Sequence, residues 1–185
     1  MKQKLGLASA LVTRPSVLLL DEPTTGVDPV TRQDFWQLII KLVNQFSGIP
    51  VNRITEQLEN CNTSVLISTP YMDEAARCHR VGFMKKGRLV AEGTPGELRA
   101  LLDGRILELR GSSLAEIRHH AAQVLGVENV QAFGDRLHLR VSPGQAESVM
   151  QSLPAQLQVL GLSIESLRPL PPTLEDVFIA LSHDE

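Results

Sequence analysis

Hydrophobic residues follow two spacings in the first hundred positions and predict alternating helices and strands. Short apolar runs within 17–20 and 64–68 are typical of strands buried on both faces, as in a parallel sheet. Apolar residues three and four positions apart predict amphipathic helices. The first such helix covers 5–12 and is ended by Pro15, and the second covers 29–46 and is begun by the Asp28-Pro29 pair. A further short helix is predicted at 71–78.

A hairpin and a further helix are predicted after residue 80. An apolar strand at 81–84 turns through Lys86-Gly87 into a partner strand at 89–91. Thr94 and Glu97 have the spacing of a capping box, which opens a helix ending near Leu102. Strands that alternate with helices predict an α/β fold with a parallel sheet.

The pattern changes after Asp103-Gly104, where we predict a domain boundary between residues 1–102 and 103–185. The second part has the order strand, helix, strand, strand, helix, strand, which is the ferredoxin-like α+β pattern. The predicted strands are 106–109, 127–133, 137–141 and 160–167, the helices are 114–125 and 145–153, and a last helix covers 174–181.

Composition narrows the classes of function. The 185 residues have a formal net charge of -3, which argues against a nucleic-acid-binding protein that neutralises many phosphates. Cys61 and Cys78 are far apart and suggest free thiols in a reducing compartment. No apolar run approaches the roughly 20 residues of a transmembrane helix. We therefore expect a cytoplasmic protein whose link to a membrane is made through a partner.

The pair Asp21-Glu22 directly follows the apolar strand at 17–20. In open α/β sheets, ligands bind at the carboxyl ends of the strands. One carboxylate there can hold Mg²⁺ through water, and the next can orient or deprotonate a water molecule aimed at a phosphate. The alternative is that the acidic pair merely ends a strand before a turn.

The neighbouring motifs resemble those of ATP-binding cassette (ABC) transporter ATPases, from the signature helix onward. The Walker B strand corresponds to Val17–Glu22, the D-loop to Thr24–Asp28, and the switch-loop segment to Ile67–Ala75. Residues 80–98 resemble the segment that closes the cassette, and the C-terminal part resembles that of multidrug and polyketide-antibiotic exporters. The expected fold is the C-terminal portion of a P-loop-type nucleotide-binding domain, followed by a small ferredoxin-like domain.

The resemblance assigns roles to individual residues. It implies that Asp21 holds Mg²⁺ through water, that Glu22 is the general base, and that Asp28 lies at a dimer interface that links two ATP sites. The start of the signature helix contacts the γ-phosphate of ATP in the family. The residues that correspond to that helix start in this chain are Met1, Lys2 and Gln3.

Three departures from the family bear on catalysis. The sequence contains no GxxxxGK[ST] loop, which anchors the β- and γ-phosphates, so we expect a chain that begins late and a sheet with exposed apolar faces. Met1 takes the last place of the signature, so its serine and glycines are missing. Pro70 takes the place of the switch histidine and has no donor group. Residues 49–63 form an insertion without a functional assignment.

The resemblance implies the ATP-binding component of an ABC-type exporter, with ATP and Mg²⁺ as ligands. Its partners would be a second ATPase subunit and an integral membrane permease, with no nucleic acid, on the cytoplasmic face of the plasma membrane. The family hydrolyses ATP, but we expect no hydrolysis by this chain alone. The alternatives are a non-catalytic dimerisation or regulatory module and a remnant of an ABC ATPase gene.

Overall fold

The computed structural model describes residues 2–13, 15–44 and 63–183, and it forms two compact units, Met1–Glu74 and Ala75–Glu185. The predicted mixed α/β fold class is confirmed. The first unit contains α1 (Lys2–Val12), β1 (Val17–Asp21), α2 (Pro29–Asn44) and β2 (Ser64–Ser68), and α3 (Met72–Ala75) lies at the boundary between the units. The insertion predicted at 49–63 lies almost wholly outside the described residues.

The first unit is built on a two-stranded parallel sheet. Strands β1 and β2 pair in the register Leu19↔Leu66, so these two side chains lie on the same face. That face is exposed to solvent, at 69% for Leu19 and 67% for Leu66, whereas Leu18 on the other face is only 4% exposed. Both predicted strands are therefore present, and the sheet has the exposed apolar face that the departures from the family predict.

The second unit begins with the predicted hairpin, formed by β3 (Val81–Lys85) and β4 (Arg88–Gly93). Its two turn residues have positive φ angles, 48° at Lys86 and 75° at Gly87, as a type I′ turn requires. Helix α4 (Pro95–Ala100) follows. The Thr94 side chain accepts from the Glu97 N–H, and the Glu97 side chain accepts from the Thr94 N–H, so the predicted capping box is confirmed.

The ferredoxin-like order is confirmed in the rest of the second unit. The elements are β5 (Ile106–Gly111), α5 (Leu114–Ala121), β6 (Val127–Phe133), β7 (Arg136–Val141), α6 (Ala146–Val159) and β8 (Ile164–Pro169). The four strands form an antiparallel sheet in the order β6-β7-β5-β8. Both helices pack on one face of this sheet, where Leu107, Leu139 and Leu153 are fully buried. The alternation of apolar and polar residues along β5 and β7 produces this one-sided core.

Helix α7 (Leu174–His183) contacts the hairpin and the four-stranded sheet. The ring centroids of Phe178 and Phe83 lie 5.5 Å apart, and the Lys85 Nζ donates to the Ser182 carbonyl oxygen at 2.7 Å. The Nδ1 of His138 on β7 lies 2.9 Å from the Asp176 Oδ1. Because α7 contacts residues on both sides of Asp103, the hairpin and the sheet belong to one compact unit. The boundary predicted at Asp103 stays a prediction.

The polar face of the four-stranded sheet contains a buried carboxylate on β5. Glu108 is fully buried and accepts hydrogen bonds from Arg136 at 2.9 Å and from Arg168 at 2.8 Å. The pKa of Glu108 is lowered to about 2, and the largest cause is the hydrogen bond from Arg168. The hydrogen bonds from Arg136 and Arg168 therefore stabilise the ionised form of the Glu108 carboxylate.

Several predicted element ends were wrong. Helix α6 continues through Pro154 to Val159, beyond the predicted end at Leu153. Val149, Leu153 and Leu157 form one apolar stripe that is buried, and this burial outweighs the hydrogen bond that Pro154 removes. The predicted strand at 160–167 begins only at Ile164, and helix α5 ends at Ala121 rather than at Leu125. Helix α3 is also shorter than the predicted 71–78.

Candidate functional site

The carboxylate of Asp21 lies at the carboxyl end of β1, beside the end of β2. Asp21 pairs with Ser68 in the parallel register, and the Ser68 hydroxyl donates to the Asp21 Oδ1 at 2.5 Å. Asp21 and Ser68 are both exposed to solvent. The parallel pairing thus places a hydroxyl from the second strand on the carboxylate that the sequence predicts as the Mg²⁺ ligand.

Glu22 has a left-handed backbone conformation, with a φ of 41°. Its N–H donates to the Ser68 carbonyl oxygen at 3.1 Å and lies 2.9 Å from the Ser68 hydroxyl oxygen. Its Oε2 accepts from the Thr25 hydroxyl at 3.0 Å. A left-handed non-glycine residue is strained and persists only where its surroundings hold it. Ser68 therefore contacts both members of the Asp21-Glu22 pair.

The loop after Glu22 is closed by backbone hydrogen bonds. The Thr25 N–H donates to the Glu22 carbonyl oxygen and the Val27 N–H donates to that of Thr24, each at 3.1 Å. Gly26 has a φ of 74°, a conformation that favours glycine. Because of these bonds, the predicted D-loop at Thr24–Asp28 forms a compact turn.

Asp28 ends this loop and is the N-cap residue of α2. Its Oδ1 accepts from the Thr31 N–H at 3.0 Å, and its carbonyl oxygen accepts from the Arg32 N–H at 2.9 Å. The Thr31 backbone hydrogen bond is the largest cause that holds the pKa of Asp28 below its usual value. The exposed carboxylate has a capping function in this chain, and its role at a dimer interface stays a prediction.

The donor set at the end of β1 fits magnesium. Asp21 and Glu22 are exposed carboxylates, and Mg²⁺ is commonly held by one or two carboxylates together with water and substrate phosphates. Within residues 2–13, 15–44 and 63–183, no group of three or more His, Cys, Asp or Glu side chains forms a metal site. Two exposed carboxylates are compatible with an Mg²⁺ ion that keeps most of its water ligands.

The remaining sequence-predicted positions are only partly described. Met1 lies outside the described residues, and Lys2 and Gln3 begin helix α1. Pro70 follows β2 and is exposed to solvent. A proline has no N–H or side-chain donor for a phosphate, and its position in a switch loop stays a prediction.

Glu74 is a charged residue of this region to which sequence analysis assigned no role. Its carboxylate is 1% exposed, and its two oxygens accept from the Thr24 hydroxyl at 2.8 Å and the Thr69 hydroxyl at 2.7 Å. The Arg32 Nε lies 3.8 Å from its Oε1. In the sequence, Asp73 and Glu74 both fit the first turn of a helix, and only the tertiary structure distinguishes the buried one from the exposed one.

No helix in the part of the chain that the structure describes is long and apolar enough to cross a membrane.

Comparison with known proteins gives two kinds of match. Residues 93–182 match the family described as the C-terminal domain of DrrA1-3-like ATP-binding proteins. The daunorubicin/doxorubicin resistance ATP-binding protein DrrA of Streptomyces peucetius is 32% identical over 186 residues, which cover 98% of this chain and 51% of the relative. The Nod factor export ATP-binding protein I of Paraburkholderia xenovorans is 33% identical over 187 residues, which cover 100% of this chain and 53% of the relative. The chain thus spans about half the length of these curated relatives.

Proposed function

Because the chain belongs to the DrrA-like ABC transporter ATP-binding proteins, of which it contains the C-terminal part, we propose that it is an ATP-binding component of an ABC-type exporter. Names of its relatives refer to drug resistance and to Nod factor export. In this proposal the chain acts with a second ATPase subunit and with an integral membrane permease, on the cytoplasmic face of the plasma membrane. The permease would select the exported compound.

The arrangement of Asp21, Glu22 and Ser68 is the observation that carries this proposal. In it, Asp21 holds Mg²⁺ through water while the Ser68 hydroxyl fixes one of its carboxylate oxygens. Glu22 is the general base, and its hydrogen bonds to Ser68 and Thr25 orient the carboxylate at the strand end. When bound, Mg²⁺ neutralises charge on the phosphates of ATP. These two carboxylates would then have separate roles set by their positions.

The same proposal includes a lack of ATP hydrolysis by this chain alone. No GxxxxGK[ST] loop occurs in the 185 residues, and that loop supplies the N–H groups and the lysine that anchor the phosphates. Pro70 also lacks a donor for the γ-phosphate. Catalysis would therefore need phosphate-binding groups from another polypeptide segment.

Binding of ATP by the isolated chain is tested by thermal unfolding with millimolar Mg·ATP, with Glu22→Gln as a parallel variant. Ligand at about 100 times its Kd would stabilise the folded state by about 2.7 kcal/mol, which is an easily measured shift in Tm. We expect a cooperative transition with no shift in either protein. A clear shift would contradict the proposed dependence on phosphate-binding groups from elsewhere.

A chimera tests whether the carboxylates are functional. The preceding half of the Streptomyces peucetius relative is fused ahead of residue 1, and Mg·ATP hydrolysis is measured with and without Glu22→Gln. We expect hydrolysis that Glu22→Gln lowers about 10²- to 10⁴-fold while ATP binding is retained, since a general base acts in the chemical step. Glu116→Gln, on the exposed surface of α5, is the matched control and should keep full activity.

Two outcomes of the chimera experiment would contradict the proposal. A folded chimera that binds no ATP would remove the assigned function. A chimera that hydrolyses ATP equally well with Glu22→Gln would remove Glu22 from the chemistry. Dimerisation of the original chain without nucleotide, together with either outcome, would favour the non-catalytic interaction module.

A further inference from the structure

Glu74 connects three segments of the first unit through one buried carboxylate. Its Oε1 accepts from Thr24, the first threonine of the loop after Glu22, and its Oε2 accepts from Thr69, the residue before Pro70. Its third partner, Arg32, belongs to α2. The Thr24 and Glu74 side chains are each 1% exposed, so water does not replace either hydroxyl donor readily.

The physical chemistry of burial makes this connection specific. An ionised carboxylate can only accept hydrogen bonds, and removing it from water is unfavourable unless donors replace the water. Thr24 and Thr69 supply two donors at 2.8 and 2.7 Å. If either segment moves away, the carboxylate loses a donor in a place that solvent reaches poorly. The two segments are therefore held in one relative position.

Further contacts extend the connection on the Thr69 side. The Thr69 hydroxyl oxygen accepts from the Tyr71 N–H at 3.1 Å, so the chain on both sides of Pro70 is fixed to Glu74. The Arg32 guanidinium carbon lies 4.7 Å from the centroid of the Tyr71 ring, within the range of a cation–π contact. Thr69 and Arg32 thus place a donor and a positive charge beside Glu74, and Tyr71 contacts both of these residues.

We propose that Glu74 is a positioning residue that fixes the loop at 24–28 to the segment at 69–71. Through it, a displacement beside Pro70 changes the position of Thr24 and of the loop that leads from Glu22 to Asp28. The consequence for ATP-dependent transport rests on the proposed function. The positioning itself is a property of the folded chain and is testable without nucleotide.

Amide hydrogen exchange of the purified chain, measured by NMR without nucleotide, is the test. The Thr25 and Val27 N–H groups report on the loop, since they bond to the carbonyl oxygens of Glu22 and Thr24. Amides within β2 report on opening of the unit as a whole. With Glu74→Ala, we expect exchange at Thr25 and Val27 to become about 10- to 100-fold faster, as for loss of a hydrogen bond to a charged group, with little change in β2.

A conservative substitution of Glu74 distinguishes a positioning role of its carboxylate from mere filling of space by its side chain. Glu74→Gln keeps one acceptor oxygen at nearly the same volume, so exchange at Thr25 and Val27 should lie between that of the original chain and that of Glu74→Ala. Thr24→Val removes one donor and leaves Glu74 in place, and it keeps the test open if Glu74→Ala fails to fold. The double variant Thr24→Val with Thr69→Val should be non-additive, because the two residues share one partner.

The proposal is overturned if the loop amides exchange at the same rate in Thr24→Val and in Glu74→Gln as in the original chain. It is also overturned if loop and β2 amides accelerate equally in these variants, because Glu74 would then stabilise the unit without positioning the loop. Thr63→Val removes a hydroxyl that donates to the Pro15 carbonyl oxygen rather than to Glu74, and as the control for loss of a hydroxyl it should leave exchange at Thr25 and Val27 unchanged. Failure of Mg·ATP binding in the chimera would leave these exchange results unchanged, so the two proposals fail separately.

Discussion

The parallel sheet of the first unit and the four-stranded antiparallel sheet of the second unit are covered differently, although both contain many leucine and valine residues. The parallel β1–β2 sheet has Leu18 buried on one face and leaves Val17, Leu19 and Leu66 of the other face at least half exposed. The four-stranded antiparallel sheet packs α5 and α6 on one face, with Leu107 and Leu139 fully buried. Its other face is polar and contains Glu108, His138 and several arginines.

This difference follows from the side-chain pattern of the strands. A parallel strand that is apolar on both faces needs a covering layer on each face, whereas an alternating antiparallel strand needs only one. The second unit supplies that one layer from its own helices. Its sheet therefore has a complete core, and we expect most of the measurable stability to come from the second unit.

Truncation of the core of the second unit should have the largest effect. Leu139→Ala removes a fully buried side chain and should lower the free energy of unfolding by about 2–5 kcal/mol, since it combines lost burial with a cavity. Urea denaturation followed by far-UV circular dichroism measures the change. Leu19→Ala is the matched control, because Leu19 is 69% exposed, and it should change stability by less than about 0.5 kcal/mol. Equal effects of the two substitutions would break the comparison.

Neutralising the buried carboxylate on the polar face should have the next largest effect. Glu108→Gln leaves Arg136 and Arg168 without their buried anion and should destabilise by about 1–3 kcal/mol, less than for a fully buried pair because both arginines reach solvent. Exposed Glu116→Gln controls for the change of residue type. A destabilisation no larger than that of Glu116→Gln would show that the arginines need no counter-ion.

The pH dependence of the Glu108 effect has a defined sign. The pKa of Glu108 is about 2 in the folded state against an ordinary value of 4.5. A lowered folded-state pKa gives stability that is complete above pH 4.5 and is lost as the pH falls toward 2. The difference in stability between the original chain and Glu108→Gln should therefore shrink over this range. Urea denaturation at a series of pH values checks it.

Weakening the attachment of α7 should have a smaller effect. The Asp176 carboxylate accepts from the Thr173 N–H and hydroxyl at 2.8 and 2.7 Å, and from the His138 ring, whose Nδ1 must carry the proton. Asp176→Asn should destabilise by about 1–2 kcal/mol because it replaces charge-assisted bonds. Thermal unfolding measures it, with Glu175→Gln on the exposed side of α7 as control.

The Asp176 contribution should also be lost in acid. Burial raises the pKa of Asp176, but the hydrogen bonds from His138 and Thr173 together lower it by more than burial raises it. The pKa of Asp176 therefore lies below its usual value. Stability from a carboxylate with a lowered folded-state pKa is present above its unfolded pKa and declines below about pH 4. A difference between the original chain and Asp176→Asn that grows below pH 4 would contradict this assignment.

Removal of a helix cap should have the smallest effect of the four. Thr94→Ala deletes the side-chain acceptor of the capping box at α4 and should cost about 0.5–1 kcal/mol at this exposed position. Ser113→Ala is the control, because Ser113 occupies the N-cap of α5 but its side chain makes no cap hydrogen bond. Thermal unfolding distinguishes the two. A loss at Ser113 as large as that at Thr94 would show that the cap bond itself contributes little.

Part of the site was predictable because its chemistry is contiguous in the sequence. An apolar run followed by Asp21-Glu22 predicted a strand that ends in two carboxylates, and β1 ends in that way. The short-range hydrogen bonds of the loop after Glu22 and of the Asp28 cap also follow from local sequence. The contacts of Ser68 with Asp21 and Glu22, and of Glu74 with Thr24, were not predictable, because these partners lie 46 to 50 residues apart along the chain.

By itself, the sequence determined the alternating elements, the capping box at Thr94, the turn at Lys86-Gly87 and the family, since each depends on local patterns and motif order. The tertiary structure decided which charged side chains are buried. It also extended α6 past Pro154, because burial of Leu157 on the sheet outweighs a local propensity. Burial depends on contacts between distant segments, so a residue such as Glu74 acquires its role only when Thr24, Thr69 and Arg32 fold around it.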